Sequence, residues 1–184
     1  MKQIVQLNEI LGNKKVINIL DFFIDNGPIE ISQSGIIIKT NIAKATAVKW
    51  LSFLVMNKFL LCKKIGTTNL YKLNYENIVI KQFKIIKTII QLQALNTLKV
   101  KNIEIYLYGS ASRGENNKES DIDLLIIGKI QRNEIVDALD KLSKRIKRKI
   151  NFNIFNNLEW SKMQKKDKAY YERVEKDKVK IIWT

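Results

Sequence analysis

Apolar residues recur at helical spacing in KKVINILDFFIDN, residues 14–26, where Val16, Ile19, Leu20, Phe23 and Ile24 share a face and Gly27-Pro28 closes the segment. The same period predicts a shorter helix over Ser32 to Lys39 and a third over Ile42 to Asn57. The buried stripe of the third is Val48, Leu51, Leu54 and Val55, with Lys44, Thr46 and Lys49 largely outside it. In FLLCKKIGTTNLYKLN the period changes: two β-prone runs flank Gly66-Thr67-Thr68, as in a hairpin. Residues 77–98 return to helical spacing but are apolar on more than one side, through Ile80, Phe83, Ile86 and Ile90 and through Ile85, Ile89 and Leu92. A helix of that kind needs two partners, which predicts a stiff connector that also packs against a second subunit.

The second half alternates strand and helix. IEIYLY leads into a Gly-Ser turn, DIDLLIIG is the next strand, and a helix over Arg132 to Arg148 buries Ile135, Ala138, Leu139, Leu142 and Ile146. The strand KINFNIF, one or two helices through Glu159 to Lys176, and a last strand VKIIW follow. This is the pattern of a small α/β (α+β) domain, a mixed sheet with helices. The expected organisation is a domain over 1–76, a connecting helix over 77–98 and a second domain over 99–184.

Composition narrows the chemistry. There is no histidine, and Cys62 is the one cysteine, set among apolar residues in FLLCKK and so expected in the core. A zinc site built on histidines or paired cysteines and a Ser-His or Cys-His pair are thereby excluded, leaving carboxylates, lysines, arginines and bound metal. No apolar run approaches a membrane span, and MKQIVQLNEI lacks a signal-peptide core, so a soluble, cytoplasmic protein is expected. The net charge of +15 is shared by both halves. It suits a nucleic acid or a phosphorylated substrate, although a chain this rich in Lys, Ile and Asn could owe the charge to coding bias toward A and T.

The first half, over roughly residues 10–75, resembles the winged helix-turn-helix fold. The resemblance is carried by NIAKATAVKWL, Asn41 to Leu51, and by a wing closing on NLYKLN. It implies a third helix that enters the major groove of DNA, with Lys44, Thr46 and Lys49 toward the duplex and Lys63 and Lys64 on the wing. The alternative is a domain of the same fold used for protein contacts, its lysines solvated.

The sharpest feature is YLYGSASRGENNKESDIDLLII, Tyr106 to Ile127. Side chains alternate across a strand, so Asp121 and Asp123 point to one face while Ile122 points to the other. Carboxylates this close repel unless they are solvated or share a cation, and magnesium favours one or two carboxylates completed by water and phosphate. Gly109 lets the backbone turn tightly. If ASRGE opens a short helix, Ser110 and the free amides there offer donors to phosphate, and Arg113 adds a forked cation.

Gly109-Ser110, ten intervening residues and Asp121-x-Asp123 resemble the signature of DNA polymerase β-type nucleotidyltransferases. Arg113-Gly114 and Ser120 sharpen the likeness to the minimal branch of that superfamily, over about residues 100–184. The resemblance implies transfer of a nucleoside monophosphate from an NTP, such as ATP, with two Mg2+ ions held by Asp121 and Asp123. Gly109 and Ser110 would bind the β- and γ-phosphates, with Arg113 and Ser120 completing the nucleotide site. Members of the branch often pair with small helical toxins, which implies an antitoxin-like role.

One position departs from that pattern. The family's third carboxylate belongs on the strand KINFNIF, where Asn151 stands at the better-matched position and Asn153 shares its face. An amide neither neutralises a metal nor serves as a base, so the acceptor-side metal should suffer most; Glu159 and Asp140 are the acids left to replace it. Two readings follow. One is a Mg-dependent nucleotidyltransferase joined to a DNA-binding domain. The other is a DNA-binding regulator whose transferase-like domain binds nucleotide without turning it over.

Overall fold

The computed structural model describes residues 7–97 and 102–183, and the chain divides into two compact units, Met1–Ile80 and Lys81–Thr184. Residues 1–6 of MKQIVQLNEI, the expected domain boundary at 98–99 and the end of the expected connecting helix at Leu98 lie outside the described residues. Among the described residues no helix is long and apolar enough to cross a membrane. The architecture is mixed α and β, with two sheets.

In the first unit a short helix α1 (Leu7–Leu11) precedes α2 (Lys14–Asn26), α3 (Gln33–Thr40) and α4 (Lys44–Met56). Asn13 starts α2 by accepting the amides of Lys15 and Val16, and Gly27, at φ +72°, ends it. Val16, Ile19, Leu20 and Phe23 are buried along its inner face, each worth roughly 1.5–3 kcal/mol of burial. Ser32 caps α3, and Asn41 ends it in the left-handed region.

The hairpin pairs β2 (Leu60–Ile65) with β3 (Thr68–Leu73) across a two-residue turn at Gly66-Thr67. Pattern reading did not anticipate β1 (Ile31–Ser32), which joins β3 on the other side. Two burial expectations fail here. Val48 is 44% exposed and Ala47 takes its place inside, because α4 turns its Ala47, Leu51 and Leu54 line inward. Cys62 is exposed rather than in the core, since β2 is an edge strand whose only buried residue is Leu60.

Helix α5 (Ile78–Leu92) continues into a 3-10 turn over Gln93–Thr97. Its apolar sides are unequal: Ile80 and Leu92 are buried, whereas Ile86 and Ile90 are 50% and 60% exposed. Lys84 and Thr88, both polar, occupy buried positions on it.

The second unit's sheet has the order β6-β5-β4-β7, built from β4 (Ile103–Tyr108), β5 (Ile122–Gly128), β6 (Ile150–Phe155) and β7 (Val179–Trp183). The β4 pairings are antiparallel and β5–β6 is parallel, the crossover being α6 (Arg132–Ile146). On one face Ile105, Leu107, Ile122, Leu124 and Ile126 pack with Leu92 and with Ile135, Leu139 and Leu142 of α6. On the other, Tyr108, Leu125 and Ile127 are covered by Trp160 of α7 (Asn157–Lys166) and Val174 of α8 (Lys168–Asp177). Both faces of β5 are thus buried, and its carboxylates sit where that apolar strand begins.

Candidate functional site

Asp123 is held in the middle of three strands. It pairs with Tyr108 across β4 and with Asn151 along β6, so the Gly-Ser turn and the expected third-ligand position flank one carboxylate. Asp121 lies just ahead of β5, and the Ile122 amide donates to the Lys149 carbonyl at 2.9 Å, extending the ladder to that level.

The side chains converge. The Asn151 amide nitrogen donates to Asp121 Oδ2 at 2.9 Å and to Asp123 Oδ1 at 3.2 Å. With acceptors on both sides, only the nitrogen can face them. The Lys149 ammonium stands 3.3 Å from Asp121 Oδ2. The Asn151 bond above all, then that of Lys149, holds the Asp121 carboxyl below the usual carboxylate range.

Gly109 closes the site from the other side. Its φ is +76°, and a Cβ there would lie 2.9 Å from Asp123 Oδ2, so the turn is pressed against the carboxylate and only glycine fits without a shift. The helix expected over ASRGE is instead a 3-10 turn at Gly109–Ala111, because Gly114, at φ +68°, ends the helical path. A Cβ on Gly114 would come within 2.3 Å of the Lys81 carbonyl, so this loop lies directly on α5.

The remaining expected residues divide. Ser120 builds the loop: its hydroxyl accepts the Asn117 amide and donates to the Asn117 side chain, both at 2.9 Å. Arg113 is engaged by Glu115 at 2.7 Å and by Asp177 at the end of α8, which orients its guanidinium toward carboxylates. Asn153, one pair along from Asn151, donates to the Tyr170 hydroxyl at 3.1 Å. Glu159 does not replace the third carboxylate. It closes a capping box with Asn156 at the start of α7, beyond the opposite end of β6, and Asp140 is exposed on α6. Among the described residues no three potential metal-ligating His, Cys, Asp or Glu side chains come together.

Sequence reading missed Arg148, Lys149 and Lys84. Arg148 donates twice to the Ser120 carbonyl, at 3.1 and 2.9 Å, and with its amide oxygen turned inward the buried Asn116 accepts from it at 3.2 Å. Buried Lys84 has its pKa pushed down to about 8, first by burial and then by Lys81 and Arg148. Register would have found Lys149: once β5 and β6 are paired in parallel, it falls opposite Asp121.

The donor set fits a divalent cation. Asp121 and Asp123 supply two carboxylates on one face, and water and phosphate oxygens would complete the shell magnesium prefers. In the first unit, Lys44, Lys49, Lys63 and Lys64 are exposed and Thr46 is half-buried, with Lys49 lying 4.9 Å from the Trp50 ring centroid.

The sequence model of a family described as "Nucleotidyltransferase domain" matches residues 88–181, just over half of the chain. No curated protein matches. Three solved structures are similar in part. A toxin-antitoxin structure with AMP-PNP has 18% identity over 53% of this chain and 73% of its own, at TM-score 0.39. A tri-AMPylated HEPN toxin in complex with MNT antitoxin, from Shewanella oneidensis, has 16% identity over 56% and 73%, at 0.35. A Sulfolobus solfataricus protein described as a nucleotidyltransferase has 21% over 54% and 80%, at 0.30. At TM-scores this low they add nothing to the family match.

Proposed function

The chain belongs to the nucleotidyltransferase domain family, and from that premise we propose that it transfers a nucleoside monophosphate from an NTP, taken to be ATP, to an acceptor hydroxyl. The acceptor oxygen forms a bond to the α-phosphorus, the bond to the β-phosphate oxygen breaks, pyrophosphate leaves, and the acceptor's proton passes to solvent. The observation that carries the reading is the contact of Gly109 with Asp123, which supports a single site for the phosphate tail and its metal.

In this reading Gly109 and Ser110 bind the β- and γ-phosphates, Ser120 and Arg148 hold the loop, and Asp121 and Asp123 hold Mg2+. When bound, the metal neutralises phosphate charge and polarises the α-phosphorus. Arg113 would reach phosphate with the N–H donors that its contacts with Glu115 and Asp177 do not use.

The test is transfer of label from α-labelled NTPs to candidate acceptors, with Asp121→Ala/Asp123→Ala as control. Label on an acceptor with the native chain alone supports the proposal. A second reading is favoured by one observation, the amide of Asn151 between the two carboxylates: the domain binds Mg-nucleotide as a sensor. No transfer, with a melting temperature still raised by Mg-ATP, would select it, and absence of both effects would remove any nucleotide role.

For the first unit the proposal is duplex DNA binding through a winged helix-turn-helix. The run of three helices into a hairpin, with Lys44, Thr46 and Lys49 on α4 and Lys63 and Lys64 on β2, supports it. A small helical toxin as partner, in an antitoxin-like role, and a homodimer through the exposed Ile86 and Ile90 of α5 complete the proposal; co-expression with a neighbouring reading frame and sedimentation test them.

A further inference from the structure

We infer that this chain takes up its nucleotide with one divalent cation rather than the pair its family implies, because Asn151 and Lys149 already occupy the place and the charge of the second. The inference rests on the nucleotide site proposed above and concerns what that site demands.

Two carboxylates that share a face repel, and solvent, a cation or a shared donor relieves them. Here the Asn151 nitrogen bonds both at once, at 2.9 and 3.2 Å. To become a ligand, Asn151 would have to turn its oxygen toward a cation and give up both bonds. Lys149, whose side chain is 71% exposed, adds a positive charge 3.3 Å from Asp121 Oδ2. Three carboxylates would carry a charge of −3. Asp121, Asp123 and Lys149 together carry −1, which one divalent ion already overcompensates before any phosphate arrives. A second ion would meet a neutral amide and an ammonium, and neither can be a ligand without deprotonating or turning away.

Both residues come from one short stretch, the entry of β6 at Arg148-Lys149-Ile150-Asn151, whose parallel register with β5 sets Lys149 level with Asp121 and Asn151 level with Asp123. Arg148, first in that stretch, donates to the Ser120 carbonyl. The strand that would bring a third acid brings cationic and amide donors instead, so the first cation remains bindable at Asp121 and Asp123 while the second is replaced from within the chain.

The test counts manganese on the full chain with α,β-methylene-ATP, which cannot donate its nucleotidyl group. Equilibrium dialysis gives Mn2+ and analogue bound per chain, and electron paramagnetic resonance distinguishes a lone ion from a spin-coupled pair. One Mn2+ per bound analogue with an uncoupled signal is expected for the native chain and for Lys149→Ala. The Lys149→Ala/Asn151→Asp chain should bind two, with the coupled signal. A coupled pair in the native chain overturns the inference whatever the variants do. A double variant that binds the analogue with one ion also overturns it, since the exclusion would then lie elsewhere. Failure of the native chain to bind the analogue at all is a different result: it removes the nucleotide site itself, and this inference with it.

Discussion

The two units carry charge in opposite ways. In the first, Lys44, Lys49, Lys63 and Lys64 are exposed on a helix and a hairpin, and the core beneath them would be the same if they were other polar residues. In the second, Asp121, Asp123, Lys149 and Asn151 lie within 3.3 Å of one another in a chain of contacts, and Gly109 is fixed by the same carboxylate. Exposed lysines act on a ligand by summed charge, so each should matter modestly and in a salt-dependent way. A converged site acts through placement, so single atoms should matter a great deal.

The largest contrast is expected from Asp121→Ala/Asp123→Ala. Nucleotidyl transfer should fall at least about 100-fold and the Mg-ATP thermal shift should vanish, while duplex binding by the first unit stays unchanged. A double variant that still transfers label would take the chemistry away from this pair. Gly109→Ala comes next. The added methyl must move Asp123 or the turn, in a backbone conformation alanine resists, so nucleotide affinity measured by calorimetry should drop about tenfold or more, with about 1–3 kcal/mol of stability.

Lys84 tests whether the second unit holds charge at a cost. The unfolded chain keeps this lysine protonated to its ordinary value near 10.5, the folded chain only to about 8. Between those values the unfolded state binds more protons, so this group makes stability rise with pH across that window. Below pH 8 the charged form is carried at up to about 3 kcal/mol. The melting-temperature gap between the native chain and Lys84→Met should therefore change in favour of the native chain as pH rises from 7 to 10. An equal gap at both would show that burial of the charge is not what lowers stability.

The smallest effect belongs to the first unit. Lys44→Ala/Lys49→Ala should weaken duplex binding several-fold and lower the salt slope by about two. Binding by the double variant with native affinity and slope would remove α4 from the interface.

How legible each part was follows from the same contrast. The spacing of Val16, Ile19, Leu20 and Phe23 states a helix face outright, and the α2 bounds match the pattern because Asn13 and Gly27 mark them locally. Val48 was misplaced because a helix apolar on several sides does not say which line turns inward; Ala47 won by packing. Cys62 was misplaced because apolar neighbours do not reveal that a strand is an edge. The polar Lys84 inside α5 has no local signal, since the loop at Gly114 that covers that helix comes from elsewhere in the chain.

By itself the sequence determined the periods, the caps, the Gly-Ser turn and the paired acids of Asp121-Ile122-Asp123, because each is written within a few residues and obeys local geometry. It also determined that no acid stands at 151. What only the tertiary structure decided is what that absence means. Parallel pairing of β5 with β6 brings Lys149 and Asn151, some thirty residues away, onto the two carboxylates, and such register is a property of the sheet rather than of either strand.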